Sequence, residues 1–563
     1  MSEAVYTNPT KLKTALNHLP ILDFASSYTT LRQATATIQQ QKELKPATRL
    51  ELLELLEIAA GQLLATHGRG QGVVRGGSSE IARQQYLREV SLVFADLFRG
   101  AQFAINSMGQ EKGGIFHRTQ PVAAALHLAL RAVARVLLCG HLQYASRNDK
   151  VWKALYDTYL WVEKSGHLDS SVSFSATSGE TIVSSCARIF IHTLLIAMVD
   201  PYSMGPDTLW ETDLQLRIWS AGVKIQPFNR PEDFHGIFVL DLAQPGPPLR
   251  PERVARDVDP EKCRLLDCRG LVTTLELYQK LLKARSPLPR DCQLSPAMAL
   301  RIVPQVLDSL TAPRARRGGR QHQEGTRLVA FGAAAAHFFI GGMRGFSSGG
   351  QVGHAAPAGG IVVDEGGGDD LSFEDDLSFE EVEEEAVVPR STAEYQIHEW
   401  GIFDISDDGL CLVSTDLEVP VKVGDLVAVV LPQAPAGSSG YALGVVRWQI
   451  LQPKTLRKLG IEVMSRNVQA IAVRATSGTL KDTAPRRAFL LEGQPQSKKS
   501  SVVVLGSLFR PQRELRLEFA GEWLEVRIRE LLDGTDLYER LTVRLDDDED
   551  DDAMEATRAL SRM

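Results

Sequence analysis

Residues 401–414 read GIFDISDDGLCLVS, two short apolar runs on either side of an Asp-Asp-Gly step. β-Branched and aromatic residues flanking a turn signal mark a strand, a turn and a second strand. The same rhythm continues outward at 426–431, 441–448, 459–464 and 470–475, and then at 488–492, 501–505, 514–519, 522–530 and 538–545. Regular spacing of this kind predicts one or two small β-barrels.

Upstream the period changes. Residues 49–64 place Leu50, Leu52, Leu53, Leu55, Leu56, Leu63 and Leu64 in a helical stripe, with Pro46 near the start. Residues 80–107, 120–143, 151–164, 213–221, 271–284 and 296–310 continue the helical pattern, and 178–199, apolar nearly all round, reads as one central buried helix stopped by Pro201. Residues 236–242 (GIFVLDL) read as a strand, as do 326–340. The fold class is therefore α+β and multidomain. An all-α N-terminal region precedes a small β-barrel and a further β-rich C-terminal extension. The expected partition is a helical module over 1–310, a basic arm and first barrel strand over 311–340, a Gly-rich and acidic linker over 341–389, a barrel over 390–478, a β-rich extension over 479–545 and an acidic tail over 546–563.

A chain of 563 residues with 44% hydrophobic residues holds several buried cores and is not a mostly disordered protein. Its formal net charge is −8, but residues 361–389 hold 12 acids and residues 546–555 hold 8, with no base in either stretch. The remainder has 50 acids against 62 bases, a net of +12. A basic body favours phosphates or other acidic partners. The linker also repeats DLSFED (370–375) as DLSFEE (376–381), a composition that buries too little surface to offset its ordering entropy.

The six cysteines form no Cys-x-x-Cys pair and no ladder of zinc ligands, so they read as reduced thiols. Met1 to Lys13 lacks the apolar core of a signal peptide, and the apolar stretch at 121–140 is interrupted by His127, Arg131 and Arg135. The expectation is a cytoplasmic protein without a membrane span.

Two motifs carry chemistry. Arg316, Arg317 and Arg320 lie in PRARRGGR (313–320), an Arg-x-x-x-Arg spacing with an extra arginine inside. Asp404, Ser406 and Gly409 form an Asp-x-Ser-x-x-Gly turn. Guanidinium groups on an arm pair with phosphates in a bidentate way and stack on purine faces. An ionised carboxylate accepts from guanine N–H groups, and glycine allows a close backbone approach. Taken singly, the arm also reads as a solvated or nucleic-acid-binding patch and the turn as a self-capped hairpin. HGRGQG (67–72) follows no strand and precedes no Lys-Ser/Thr, so it reads as a surface loop. No nucleophile elbow, paired catalytic carboxylates or metal-spaced histidines appear, which argues against an enzyme.

In this order the two motifs resemble the PilZ domain, a bacterial receptor for cyclic di-GMP. Val445-Val446-Arg447-Trp448 and Gly460-Ile461-Glu462-Val463 resemble its later barrel strands, and the likeness covers residues 400–475 plus the arm. The helical region is similar to long helical modules found ahead of such barrels. The resemblance implies that Arg316, Arg317 and Arg320 wrap the phosphates and stack on guanine, while Asp404, Ser406 and Gly409 hold the other edge. It implies cyclic di-GMP as ligand, no cofactor, and protein partners reached through the helical module. The alternative is a ligand-independent scaffold with a degenerate barrel. One departure is clear: 83 residues separate Arg320 from Asp404, far more than is usual. Loop closure grows slowly with length, so the insertion is compatible with a site. Its acids are placed to compete for Arg314, Arg316, Arg317 and Arg320.

Overall fold

The computed structural model describes residues 3–69, 80–110, 119–175, 180–229, 234–255, 258–311, 319–346, 395–432, 439–452, 456–476, 484–491, 501–506, 508, 512–519, 522–535 and 537–545. Arg316 and Arg317, the linker beyond residue 346 and the acidic tail fall outside these segments. Residues 1–319 with 413–423 and 447–460 form one compact unit, and residues 320–412, 424–446 and 461–563 form the other.

The first unit is mainly helical. Its helices are α1 (Glu3–Tyr6), α2 (Pro9–Asn17), α3 (Phe24–Gln40), α4 (Pro46–His67), α5 (Glu80–Gln110), α6 (Thr119–Leu142), α7 (Asp149–Lys164), α8 (Cys186–Met198), α9 (Pro206–Trp219), α10 (Arg269–Lys283) and α11 (Pro296–Thr311). Strands β1 (Val172–Ser175) and β2 (Thr181–Ser184) pair as a hairpin, and β3 (Lys224–Pro227), β5 (Cys263–Asp267) and β4 (Ile237–Asp241) form a three-stranded antiparallel sheet in that order. The expected single helix over 178–199 is thus corrected. Thr181, Ile182 and Val183 are β-branched and extend as β2, and the Ser185 hydroxyl accepts from the Arg188 N–H to start α8 one residue later. Helix α3 was not anticipated, because its sequence is rich in Ser, Thr and Gln and buries only a thin apolar line of Phe24, Leu31, Ala34 and Ile38.

Helix α4 buries Leu52, Leu53, Leu56, Leu63 and Leu64 against a core shared with α5 and α6. Each such leucine contributes about 1.5–3 kcal/mol on burial. Within α6 the segment Pro121–Leu142 is long and apolar enough to cross a membrane, but most of it is buried inside this unit.

Three histidines in apolar interiors make stability pH-dependent. His127 is fully buried and neither ring nitrogen has a partner among the described residues, and His141 Nε2 is likewise unpaired. His337 Nε2 bonds the Ile471 carbonyl. Burial, aided by the Arg131 charge, lowers the His127 pKa to about 3, and burial lowers His141 and His337 to about 4. The unfolded chain takes up these protons near pH 6.5 and the folded chain does not. Stability is therefore full above that value and falls as pH drops toward 4, by about 1.4 kcal/mol per pH unit for each histidine. Urea midpoints measured between neutral pH and about pH 5 should show this slope, and His127→Leu should remove about a third of it. An unchanged slope in that variant would place His127 in a solvated, protonatable setting.

The second unit contains most of the two closed barrels. The first barrel comprises β6 (Thr326–Phe331), β7 (His398–Ser406), β8 (Gly409–Ser414), β9 (Leu426–Val430), β10 (Tyr441–Gln452) and β11 (Leu456–Ser465), closed in the order β10-β11-β8-β7-β6-β9. The second comprises β12 (Val468–Ala475), β13 (Arg486–Leu491), β14 (Ser501–Leu505), β15 (Glu514–Phe519), β16 (Glu522–Gly534) and β17 (Tyr538–Leu545), closed in the order β12-β13-β14-β17-β16-β15. Strand β12 pairs with β13 and β15, so the run read together with the first barrel opens the second.

The strand expected over 326–340 is half strand and half helix. Gly332, at φ 90°, ends β6, and the alanine-rich run after it forms α12 (Ala333–Ile340). Ala336, Phe339 and Ile340 of α12 share one core with Leu426 and Leu443 of the first barrel and Phe489 and Val503 of the second.

Candidate functional site

The hairpin quoted first positions the site. Strand β7 ends at Ser406 and β8 begins at Gly409, and the Ser406 hydroxyl donates to the Gly409 carbonyl (3.4 Å), closing the turn on itself. Gly409 has no special backbone angle. It is needed for space, because a Cβ there would stand 2.8 Å from the Ile461 carbonyl oxygen of β11. The neighbouring Asp408 carbonyl accepts from the Val463 N–H at 2.9 Å, which holds the turn against β11.

The arm reaches this turn as a short added strand. Gln321 exchanges both backbone hydrogen bonds with Ile405, and His322 Nδ1 donates to the Phe403 carbonyl at 2.8 Å. Arg320 is thereby laid beside Asp404, and its Nη1 lies 3.1 Å from Asp404 Oδ2. The guanidinium is 40% exposed and the carboxylate 15%. The fold therefore brings together Arg320, Asp404, Ser406 and Gly409 across the 83 intervening residues. Arg316 and Arg317 precede this point, outside the described residues. Asp404 was expected to face a guanine edge. In this state it is engaged by Arg320, so a ligand must either share or replace that pair.

Two further features flank the turn. Phe403 is 42% exposed beside His322, two residues after Arg320, with ring centroids 6.0 Å apart in an edge-on arrangement. Arg466, in the connection after β11, donates from Nη2 to the Asp407 carbonyl at 3.2 Å. Neither belongs to the two motifs; Phe403 directly precedes Asp404 in β7, and strand pairing brings Arg466 to the turn. On the other wall of the β10–β11 pair, Trp448 lies flat against Gly460, where a Cβ would meet the indole nitrogen at 2.2 Å.

Among its described residues the helical unit carries buried ion pairs. Glu57 and Arg131, both buried, pair at 3.1 Å. Among the described residues no three His, Cys, Asp or Glu side chains are arranged to hold a metal ion. The His67 of HGRGQG belongs to the last turn of α4 and bonds the Ile21 carbonyl, while Gly70 to Gly72 lie outside the described residues. A cavity of about 330 Å³ in this unit is lined in part by Glu80, Gln449 and Arg457. Those groups are already engaged, Glu80 by Arg83 and the other two by the Val421, Val419 and Leu417 carbonyls.

Residues 10–231 match the family model described as cyclic-di-GMP receptor FimW, N-terminal domain. The match covers about two fifths of the chain and lies wholly in the helical unit, from α2 past β3. No curated protein and no solved structure matches the chain. The helical region is thus similar to the module of a cyclic-di-GMP receptor, a part of the chain in which neither of the two motifs lies.

Proposed function

We propose that the protein is a cytoplasmic cyclic di-GMP receptor that binds its ligand on a PilZ-like first barrel and signals to a protein partner through its helical module. Two lines of support meet here. Residues 10–231 are similar to the N-terminal domain of a cyclic-di-GMP receptor. The decisive one is the meeting of Arg320 with Asp404, Ser406 and Gly409 at one turn.

Binding is the whole of the reaction, with no cofactor and no covalent step. Arg316 and Arg320 pair with the phosphates and stack on guanine, while Asp404 accepts from a guanine edge. The Arg320–Asp404 pair sets the energetics of entry. It is partly exposed, so giving it up costs about 0–1 kcal/mol, less than a bidentate arginine–phosphate contact returns. The signal follows if the helical module has different partner affinity in the ligand-free and ligand-bound states.

Calorimetric titration of the full chain with cyclic di-GMP tests this. Saturable binding that a linear guanine dinucleotide does not reproduce is expected. Absence of saturable binding would leave the ligand-independent scaffold as the correct reading.

A further inference from the structure

We propose that Arg466 is a further ligand-binding residue of the barrel site, pairing with a phosphate of the cyclic dinucleotide. The proposal rests on the receptor reading above and concerns a residue outside both motifs. Arg466 and Asn467 are the whole connection between β11 and β12. The Ser465 hydroxyl accepts from the Asn467 N–H at 3.1 Å and donates to the Asn467 carbonyl at 2.6 Å, which fixes that connection. From there Arg466 reaches the ligand turn and donates to the Asp407 carbonyl.

What distinguishes Arg466 is its uncompensated charge. Arg320 faces a carboxylate, whereas Arg466 bonds a neutral carbonyl and has no acidic partner among the described residues. It is exposed, and its one hydrogen bond to the turn leaves most of its five N–H donors available. The turn itself is acidic, with Asp404, Asp407 and Asp408. A ligand with two phosphodiester charges meets repulsion there unless a cation stands close by. Arg320 is partly neutralised by Asp404, so among the described residues Arg466 is a cation at the turn with its charge still open.

The test is titration of the full chain, Arg466→Gln and Arg466→Lys with cyclic di-GMP at several salt concentrations. Arg466→Gln should weaken binding by about tenfold and make it less salt-sensitive, because a phosphate contact is lost. Arg466→Lys should recover part of the affinity and the original salt sensitivity. The exposed position predicts unchanged melting for both variants. Wild-type binding with an unaltered Arg466→Gln affinity would overturn this proposal alone. Weakened binding with unaltered salt sensitivity would also overturn it, leaving Arg466 as a positioning residue for the turn. A wild-type protein that does not bind would overturn the receptor reading and this proposal together.

Discussion

Arg316→Ala/Arg320→Ala is expected to weaken cyclic di-GMP binding by at least about a hundredfold. Each charge-assisted hydrogen bond to a phosphate is worth about 1.5–3 kcal/mol, and 1.4 kcal/mol is tenfold in affinity. The single variants should be unequal. Arg320→Ala removes a cation and also leaves the Asp404 carboxylate, only 15% exposed, without its partner at 3.1 Å. That freed charge repels the incoming phosphates, so Arg320→Ala should lose more than Arg316→Ala. Asp404→Asn in the Arg320→Ala background should recover part of the difference. Arg320→Lys should not restore binding, because an ammonium cannot fork onto a phosphate or stack on a purine. Calorimetry on the full chain reads the parent and all five variants. An Arg320→Ala affinity within about threefold of the parent would remove Arg320 from the site.

The C-terminal strands were legible because their pattern is local. Residues 501–505, 514–519 and 538–545 stand in the sequence as bounded apolar or alternating runs, and they are strands over those same bounds. Which barrel a strand joins was not legible. Val468–Ala475 continues the rhythm of the strands before it, yet its partners lie at 486–491 and 514–519. Local composition misled where it was ambiguous. An apolar run at 178–199 hid the β-branched start that makes β2, and the alanines after Gly332 made a helix where a continued strand was expected.

The site divides in the same way. Asp404, Ser406 and Gly409 were readable because a turn is a local object with its own residue chemistry. The reason for Gly409 was not readable, since it lies in a β11 carbonyl more than fifty residues on. Arg320 was readable as an arm, but its pairing with Asp404 depends on Gln321 joining the end of β7. Arg466 carried no signal at all, because its relation to the turn exists only through strand pairing. The acidic linker, read as a competitor for the arm, lies outside the described residues beyond position 346.

In the helical unit the largest stability effect is expected at Asp213. Its carboxylate is 2% exposed and faces Arg217 at 2.6 Å, His192 at 3.1 Å and Arg135 at 3.7 Å. These residues tie α6, α8 and α9 together. Burial alone would raise the Asp213 pKa, but Arg217, His192 and Arg135 outweigh it and hold the group below the ordinary carboxylate range. A depressed folded pKa adds stability that is present above the unfolded value near 3.8 and is lost as pH falls through the folded one, so the contribution is full at neutral pH. Asp213→Ala should destabilise by about 3–5 kcal/mol, because it leaves Arg135, only 17% exposed, together with His192 and Arg217 without the carboxylate they share. Asp213→Asn should fall in the same range, since Arg135 requires the charge rather than the shape. Asp157→Ala, which breaks an exposed pair with Lys153, should change stability by no more than about 0.5 kcal/mol. Urea unfolding followed by helical circular dichroism measures each variant. The sharper comparison is Asp213→Leu/Arg135→Met. Replacing both charges by apolar side chains removes the unpaired ion, so this double variant should be more stable than Asp213→Ala, while Arg217, 36% exposed, turns to solvent. A double variant no better than the single one would mean that Arg135 does not need Asp213, and that the helices are held by apolar packing alone.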